Sequence, residues 1–230
     1  MAIIRFPDLR NPVYSHQIGP EGIIAVGGNL HPETLLSAYR RGIFPWPMEE
    51  YPLCWFSPPE RAVLDFDEIH IPRSLRQEMK RSRFKLTLDQ AFDEVIQNCA
   101  DMERPDQDGT WITEAMIEAY CRLHRLGHAH SAEAWVDSPD GPELVGGVYG
   151  VDPGGAFAGE SMFHTEAYAS KLALLHLIEH LRSQGLKWLD IQTLTPHMKA
   201  LGAKLISRDE FLNRLTDQLT EAEKSHLKLF

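Results

Sequence analysis

Cysteine is scarce in this chain, and its scarcity limits the possible folds. The 230 residues include three cysteines, Cys54, Cys99 and Cys121. They lie far apart, are odd in number and form no C-x-x-C motif. This pattern argues against a disulfide framework and against a thiolate zinc site. We therefore expect a reducing compartment and a cytoplasmic location.

Positive charge is also limited. Lys and Arg number 23 against 33 Asp and Glu, which gives a formal net charge of -10. A broad basic surface for duplex nucleic acid is therefore not expected, although a local basic patch is compatible with this balance.

Long apolar runs are missing. No segment approaches the roughly 20 apolar residues of a membrane helix, and the first residues lack the longer apolar core of a secretory signal. Heptad repeats typical of a coiled coil are missing as well, so we expect a monomer without a membrane partner.

Two common catalytic motifs are absent. The stretch "GESMF" contains Ser161 but no G-x-S-x-G, so we do not expect a serine nucleophile there. The glycine-rich "GGVYGVDPGG" matches neither the P-loop nor the dinucleotide-binding pattern. Its glycines are interpreted as turn and strand-packing residues, which argues against nucleotide hydrolysis.

Proline divides the chain into two parts. Prolines are dense from Phe6 to Pro72, where only "PETLLSAYRRG" has helical spacing, and this predicts a small loop-rich domain over residues 1-65. From residue 66 to 230 the pattern predicts helices, a strand meander, a long helix and a strand, which is an α+β domain with a mixed sheet. Residues 196-219 are predicted as a last helical part.

Helix ends are well marked in one segment of this second part. The pattern predicts a helix from Glu114 to Leu126, with Thr113 as its N-cap and Gly127 closing it.

A polar pair interrupts the apolar strand "LKWLDIQ". Asp190 and Gln192 are two residues apart, so an extended strand directs both side chains to the same face. Two interpretations stand at this point: a structural hydrogen-bond pair at a sheet edge, or part of a reaction centre. Glu160 in "GGAFAGESMF" raises the same choice between a structural ion pair and an anion that awaits a ligand ammonium.

Aromatic loops and one basic stretch suggest a nucleic-acid partner. Tryptophans such as Trp46 and Trp111 lie in loops and either pack in the core or stack on unpaired bases. A basic stretch is interpreted either as a solvated helix face or as a phosphate-contacting patch, called the basic patch below, which consists of Arg73, Arg76, Lys80, Arg81, Arg83 and Lys85.

Histidines cluster in "LHRLGHAHSAEAW". The spacing of His124, His128 and His130 superficially suggests a metal site, but Gly127 is predicted to end the helix between the first two. We therefore predict no metal and interpret these residues as ordinary core or surface histidines.

Several strings taken together resemble the leucyl/phenylalanyl-tRNA–protein transferase family. In order they are "EGIIAVGGNL", "LLSAYRRGIFPW", "GTWIT", "AYCRLHRLGHAHSAEAW", "LVGGVYGV", "GESMF", "ASKLALL" and "LDIQ" followed by "LGA". They extend from about residue 22 to 215, which is nearly the whole chain.

The resemblance implies a fold, a reaction and a set of residues. The fold is a small N-terminal domain followed by an acyltransferase domain similar to the GNAT type. The reaction moves Leu or Phe from aminoacyl-tRNA to proteins that begin with Arg or Lys, marking them for degradation, without a cofactor. By the resemblance Trp46 and Trp111 hold the terminal adenosine, Glu160 faces the amine of the aminoacyl group, and Asp190 and Gln192 form the reaction centre. The side-chain pocket is then formed by Val148, Phe157, Met162, Leu174, Leu177 and Leu189.

The sequence does not decide between several substrates, roles and functions. An apolar pocket separates similar apolar side chains by only about 1 to 3 kcal/mol, so weak use of Met is predicted. Asp190 either removes a proton or positions the amine, and the preference between Leu and Phe is not predicted. Two other functions remain: an acyl-CoA-dependent N-acyltransferase of the GNAT type, and a non-enzymatic adaptor that binds basic N-termini.

Overall fold

Two β-sheets organise the part of the chain that the computed structural model describes, which is residues 5-15, 18-48, 51-102 and 110-230. The smaller sheet is antiparallel, with strand order β1-β3-β2. Its strands and the two helices beside it are α1 (Pro12–Ser15), β1 (Ile23–Val26), α2 (Pro32–Tyr39), β2 (Phe44–Met48) and β3 (Tyr51–Phe56).

This small sheet corrects the expectation of a loop-rich unit with a single helix. β2 reads "FPWPM", and its two prolines lack the N–H groups that a central strand needs. The strand is tolerated because it lies at the edge of the sheet, where one row of its N–H groups needs no partner.

The larger sheet has seven strands in the order β10-β4-β9-β8-β7-β6-β5. Neighbouring strands are antiparallel, except that β8 and β9 run parallel. The predicted combination of a mixed sheet with packed helices is therefore confirmed. The strands are β4 (Glu60–Asp65), β5 (Lys85–Leu88), β6 (Ala129–Ser138), β7 (Gly141–Val151), β8 (Ala158–His164), β9 (Trp188–Gln192) and β10 (Lys204–Ser207).

The pairing of strand β4 is relevant to the predicted boundary between the two domains. It pairs with β9 and β10 inside the larger sheet, although its residues precede the predicted boundary at residue 65. The division into residues 1-65 and 66-230 stays a prediction, and the strand pairing favours a boundary before Glu60.

The helices agree with the sequence pattern except near the end. Thr113 caps α5 by accepting a hydrogen bond from the backbone N–H of Met116, and Gly127 follows the helix with a φ of 75°. The segment 196-219, predicted as helical, is wrong in part, because β10 lies within it. The helices are α3 (Arg73–Arg81), α4 (Phe92–Asp101), α5 (Glu114–Arg125), α6 (Ala169–Ser183), α7 (Pro196–Ala200) and α8 (Arg208–Ser225).

Helices cover both faces of the larger sheet. Consecutive residues of a strand point to opposite faces, and Val148 and Tyr149 accordingly belong to different core clusters. One cluster contains apolar residues of α4, α5 and α8, and the other contains those of α6. Among the helices of the described residues, none combines the length and apolarity needed to span a bilayer.

Strands β8 and β9 separate soon after they meet. Their register has one Cα pair, Ala158 with Asp190, although β8 continues to His164. The gap between the two strands is where the main cavity lies.

Candidate active site

A cavity of about 520 Å³ opens between β8, β9 and α6, with residues of the small sheet at one end. Eight of the residues singled out from the sequence line this cavity: Trp46, Trp111, Val148, Glu160, Met162, Leu174, Leu189 and Gln192. They come from six separate stretches of the chain, and the fold brings them together.

Three of the expected residues do not line the cavity. Phe157 and Leu177 are buried in the core cluster beside it, at 2% and 0% exposure. Asp190 is also buried, and its neighbours Leu189 and Ile191 line the cavity instead.

Asp190 is held by Arg61, which the sequence reasoning missed. The guanidinium donates from Nε to Oδ1 at 2.8 Å and from Nη2 to Oδ2 at 2.7 Å. The Arg61 side chain is 2% exposed and lies between the rings of Phe44 and Phe211, 4.5 and 4.6 Å from their centroids. A bidentate, buried pair of this kind leaves the carboxylate little freedom to act as a base. In the sequence, the one feature that could have indicated this role of Arg61 is its position as a charged residue at the start of the apolar stretch "RAVL".

Gln192 occupies an unusual backbone position. Ile191 is an extra residue opposite β4, since Ala62 pairs with Gln192 and Val63 with Asp190. Gln192 has a φ of 54°, a conformation that costs a non-glycine residue about 1 to 3 kcal/mol. Its N–H donates to Oδ1 of Asp190 at 3.0 Å, which stabilises this conformation. The bulge and the hydrogen bond together aim the Gln192 amide into the cavity.

The Glu160 carboxyl accepts a hydrogen bond from the side-chain amide of Gln192. Nε2 of Gln192 donates to Oε1 of Glu160 at 2.8 Å, and the hydroxyl of Tyr120 lies 3.5 Å from Oε2. Tyr120 in turn shares a 2.5 Å hydrogen bond with the hydroxyl of Tyr39. Neither tyrosine was predicted, because their approach depends on the packing of α2 against α5.

The surroundings of Glu160 favour its protonated form. Burial raises the pKa of this carboxyl, with a further contribution from the charge of Asp190, to about 8 from an ordinary value of 4.5. Burial likewise raises the pKa values of Tyr39 and Tyr120 well above 10, so both hydroxyls stay protonated at neutral pH. The site thus holds a carboxyl that exchanges a proton near neutrality.

Trp46 and Trp111 stack face to face at one end of the cavity. Their ring centroids are 4.9 Å apart and the planes differ by 13°. A base between two rings needs about 7 Å, which is two contact distances. Stacking of a base on this pair would therefore need an outer face or a separation of the two rings.

The side chains of the basic patch are exposed, but they are not equally free to contact a ligand. All six lie on or near α3, and Arg83 donates two 2.7 Å hydrogen bonds to Glu166. Glu166 lies in the turn that leads into α6, so this ion pair joins the basic patch to the edge of the cavity.

The histidines have protein partners. Ligand atoms of His124, His130 and Asp89 lie within 4.8 Å of one another, a set that was not recognised from sequence. Nδ1 of His130 is 2.7 Å from Oδ2 of Asp89, and Nδ1 of His124 is 2.8 Å from the carbonyl oxygen of Ala129. His128 lies apart from this set, with Nδ1 3.3 Å from the carbonyl oxygen of Asp152. The expectation of no metal stays a prediction.

Two family models match this chain. Residues 63-216 match the model described as leucyl/phenylalanyl-tRNA protein transferase. Residues 28-59 match the model of the N-terminal domain of the same transferase.

Curated proteins with this name are similar along most of the chain. One from Anaeromyxobacter dehalogenans (strain 2CP-C) is 48% identical over 223 residues, covering 96% of this chain and 93% of the relative. One from Hydrogenovibrio crunogenus is 48% identical over 200 residues, covering 87% and 77%. One from Idiomarina loihiensis is 46% identical over 214 residues, covering 93% and 87%. Each carries the name leucyl/phenylalanyl-tRNA–protein transferase.

Two solved structures show a weaker similarity. FemX gives a TM-score of 0.48 at 9% identity, covering 76% of this chain and 66% of FemX. L-PGS from Bacillus licheniformis gives a TM-score of 0.41 at 15% identity, covering 71% and 53%.

Proposed function

We propose that this chain, which belongs to the leucyl/phenylalanyl-tRNA–protein transferase family, moves Leu or Phe, and weakly Met, from aminoacyl-tRNA to the N-terminal amine of acceptor proteins. It is an aminoacyltransferase with an aminoacyl-tRNA and a protein as its substrates. The acceptors are proposed to begin with Arg or Lys and to be marked for degradation by the transfer. We further propose that the chain works as a monomer in the cytoplasm and that its larger sheet is of the GNAT type.

One observation carries the proposal. The Glu160 carboxyl and the Gln192 amide are hydrogen-bonded to each other within a single cavity, between a tryptophan pair and apolar side chains. An aminoacyl-adenosine contains matching groups: a flat base, an amine, an ester and an apolar side chain. The tryptophans suit the base, Glu160 suits the amine and Gln192 lies beside the ester.

The reaction needs a neutral amine and a stabilised oxyanion. The acceptor amine attacks the ester carbonyl, a C–N bond forms, the amine loses a proton, and the C–O bond to the ribose breaks as that oxygen takes up a proton. The Gln192 amide is positioned by its backbone bulge to donate to the oxyanion or to orient the attacking amine. A donor fixed in this way costs no reorganisation during the reaction.

Asp190 is assigned a positioning role. Both carboxylate oxygens accept hydrogen bonds from Arg61, and Oδ1 also accepts the Gln192 N–H. Because both oxygens are engaged by these partners, the contribution of Asp190 is to fix the backbone that carries Gln192.

Glu160 suits the amine of the aminoacyl group. A free α-amine has an ordinary pKa of about 7.7 to 8.0. The Glu160 carboxyl, with its pKa raised to about 8, therefore shares a proton with this amine at nearly equal cost. Because the two pKa values are similar, Glu160 can bind the amine while the amine still gains or loses a proton near neutral pH.

The test follows label from donor to acceptor. Radiolabelled Leu-tRNA is supplied with a peptide that begins with Arg, and the control peptide has an acetylated N-terminus. Gln192→Ala is compared with Gln97→Ala, which changes an exposed glutamine on α4. Wild type and the control variant are expected to label only the free peptide. Gln192→Ala is expected to lose roughly 100- to 1000-fold in kcat, the usual cost of a lost oxyanion donor.

Two results would overturn the proposal. No transfer by folded wild type from either Leu-tRNA or Phe-tRNA leaves the acyl-CoA transferase and the adaptor as the remaining functions. Peptide binding without transfer would favour the adaptor, and labelling from acyl-CoA would favour the GNAT-type enzyme.

A further inference from the structure

The first turn of α6 borders the cavity. Tyr168, Ser170, Lys171 and Leu174 all line the cavity. α6 has 15 residues, no acidic residue in its first turn and no side-chain hydrogen bond from its N-cap, Tyr168. The partial positive charge of this helix end is therefore not offset by a carboxylate of its own.

Ser170 is a mostly buried residue that lines the cavity with its polar side chain. The residue is 4% exposed and lines the cavity. Among the residues that the structure describes, no hydrogen-bond partner is found for this hydroxyl. A hydroxyl on the cavity wall that has no described protein partner can donate a hydrogen bond to a ligand in the cavity.

Lys171 adds a positive charge beside Ser170. Its ammonium lies 5.7 Å from the Tyr168 ring centroid, and no carboxylate of the described ranges pairs with it. Glu166, the acidic residue in the turn before α6, is bound to Arg83 instead. His164 and His197 also line the cavity and are exposed.

We propose that Ser170 and Lys171, at the first turn of α6, bind a phosphodiester of the single-stranded 3′ end of the tRNA. This inference rests on the proposed function and assigns residues to a part of the donor that the reaction centre does not contact. The aminoacyl group offers no anion, because its carboxyl is esterified. An acceptor that begins with Arg or Lys is repelled by Lys171. The phosphates are therefore the anions that the substrates bring to this side.

The basic patch supports this assignment through its position. Arg83 holds the turn that leads into α6 by its two hydrogen bonds to Glu166. This ion pair places one end of the basic patch beside the turn that leads into α6. A tRNA whose acceptor stem lies against α3 would extend its 3′ end past Lys171 toward Gln192.

Three donors separate the phosphate contact from the reaction centre. They are Leu-tRNA, a leucylated CpA dinucleotide with one phosphodiester, and 3′-O-leucyladenosine, which has none. Ser170→Ala and Lys171→Gln are compared with wild type, and Lys224→Gln on α8 serves as the matched control for loss of an exposed lysine.

The expected result depends on the donor. For Leu-tRNA and the dinucleotide, each of the two variants raises KM about tenfold, the usual effect of losing one charge-assisted hydrogen bond, with little change in kcat. For leucyladenosine both variants match wild type. Lys171→Gln also lowers the slope of log(kcat/KM) against log[salt] by about 0.7 for Leu-tRNA, as one lost contact to single-stranded phosphate predicts. Lys171→Arg keeps the wild-type slope.

Other outcomes overturn the inference separately from the proposed function. Equal losses with leucyladenosine would show that Ser170 and Lys171 act on the reaction centre or on folding. Unchanged KM with Leu-tRNA would show that they contact no phosphate. A folded wild type that uses none of the three donors overturns the proposed function, and the phosphate site falls with it.

Discussion

Arg61 and Asp190 neutralise each other beside the cavity, and this pair explains why a charged residue is tolerated in a buried strand. Sequence analysis found Asp190 because an acid in an apolar run needs a partner. It missed Arg61 because 129 residues separate the two, and their meeting depends on the register between β4 and β9. The need of Asp190 for a partner could be predicted from the sequence. The identity of that partner, Arg61, could not, because it depends on which strands are neighbours in the sheet.

The stability of the protein is expected to depend on the Glu160 carboxyl. Its pKa in the folded state, about 8, lies above the ordinary value of 4.5, so the folded state binds the proton more tightly than the unfolded state. The free energy of unfolding therefore falls as pH rises from about 4.5 to about 8. Glu160→Gln removes this dependence, and urea unfolding at pH 5 and pH 8 measures it.

The size of this effect is at most a few kcal/mol, because one pKa unit corresponds to 1.36 kcal/mol and Glu160 is partly open to the cavity. Glu179→Gln, on α6, is the control and should keep the wild-type dependence. If Glu160→Gln and wild type lose the same stability between the two pH values, the raised pKa is wrong.

At the scale of elements, the long periodic helices, the meander and β9 were predictable, while the short strands β2 and β10 were not. α5 and its Thr113 cap follow from local pattern, because a cap and a glycine stop act over a few residues. β2 and β10 are four or five residues long, and their pairing with β3 and β4 determines their conformation. Tertiary pairing outweighed local propensity in both strands.

The contact between β7 and α6 depends on a residue without a side chain. A Cβ at Gly146 would lie 2.6 Å from Cβ of Ala169 and 2.8 Å from N of Ser170. Gly146→Ala must therefore displace the first turn of α6, and we expect a loss of about 1 to 3 kcal/mol in stability. A raised KM for Leu-tRNA should accompany this loss.

Gly19→Ala is the matched control, because its Cβ would meet only the flexible Glu21 carboxylate, at 3.3 Å. Chemical denaturation and steady-state kinetics measure the two effects. Wild-type stability in Gly146→Ala would show that α6 does not need this close approach.

At the scale of the whole molecule, an acidic protein presents a local basic surface. The net charge is -10, yet the six side chains of the basic patch are all exposed. Composition predicted the absence of a broad basic surface and allowed the patch, but it gave no information on its place beside the cavity. That relation depends on the ion pair between Arg83 and Glu166, which joins distant parts of the chain.

A triple variant tests the basic patch. Arg73→Gln, Arg76→Gln and Lys80→Gln together should weaken tRNA binding and lower the slope of log K against log[salt] by roughly 2 to 3, close to one unit per lost phosphate contact. The control changes three exposed lysines elsewhere: Lys187, Lys224 and Lys228. Filter binding over a salt series measures both slopes, and equal slopes would exclude α3 as a tRNA contact.

The position of β4 has a consequence for biosynthesis. A ribosome makes this strand before every other strand of the larger sheet, but the strands on both sides of it, β9 and β10, follow all the others. Arg61 can pair with Asp190 only after a further 129 residues have been made. At ordinary rates of translation this synthesis takes roughly 6 to 26 s. During that interval the apolar stretch of β4 has no sheet to join and is open to chaperones. A nascent chain that has not yet reached β9 therefore lacks the proposed reaction centre, and the ability to modify other proteins arises only after that strand has been made.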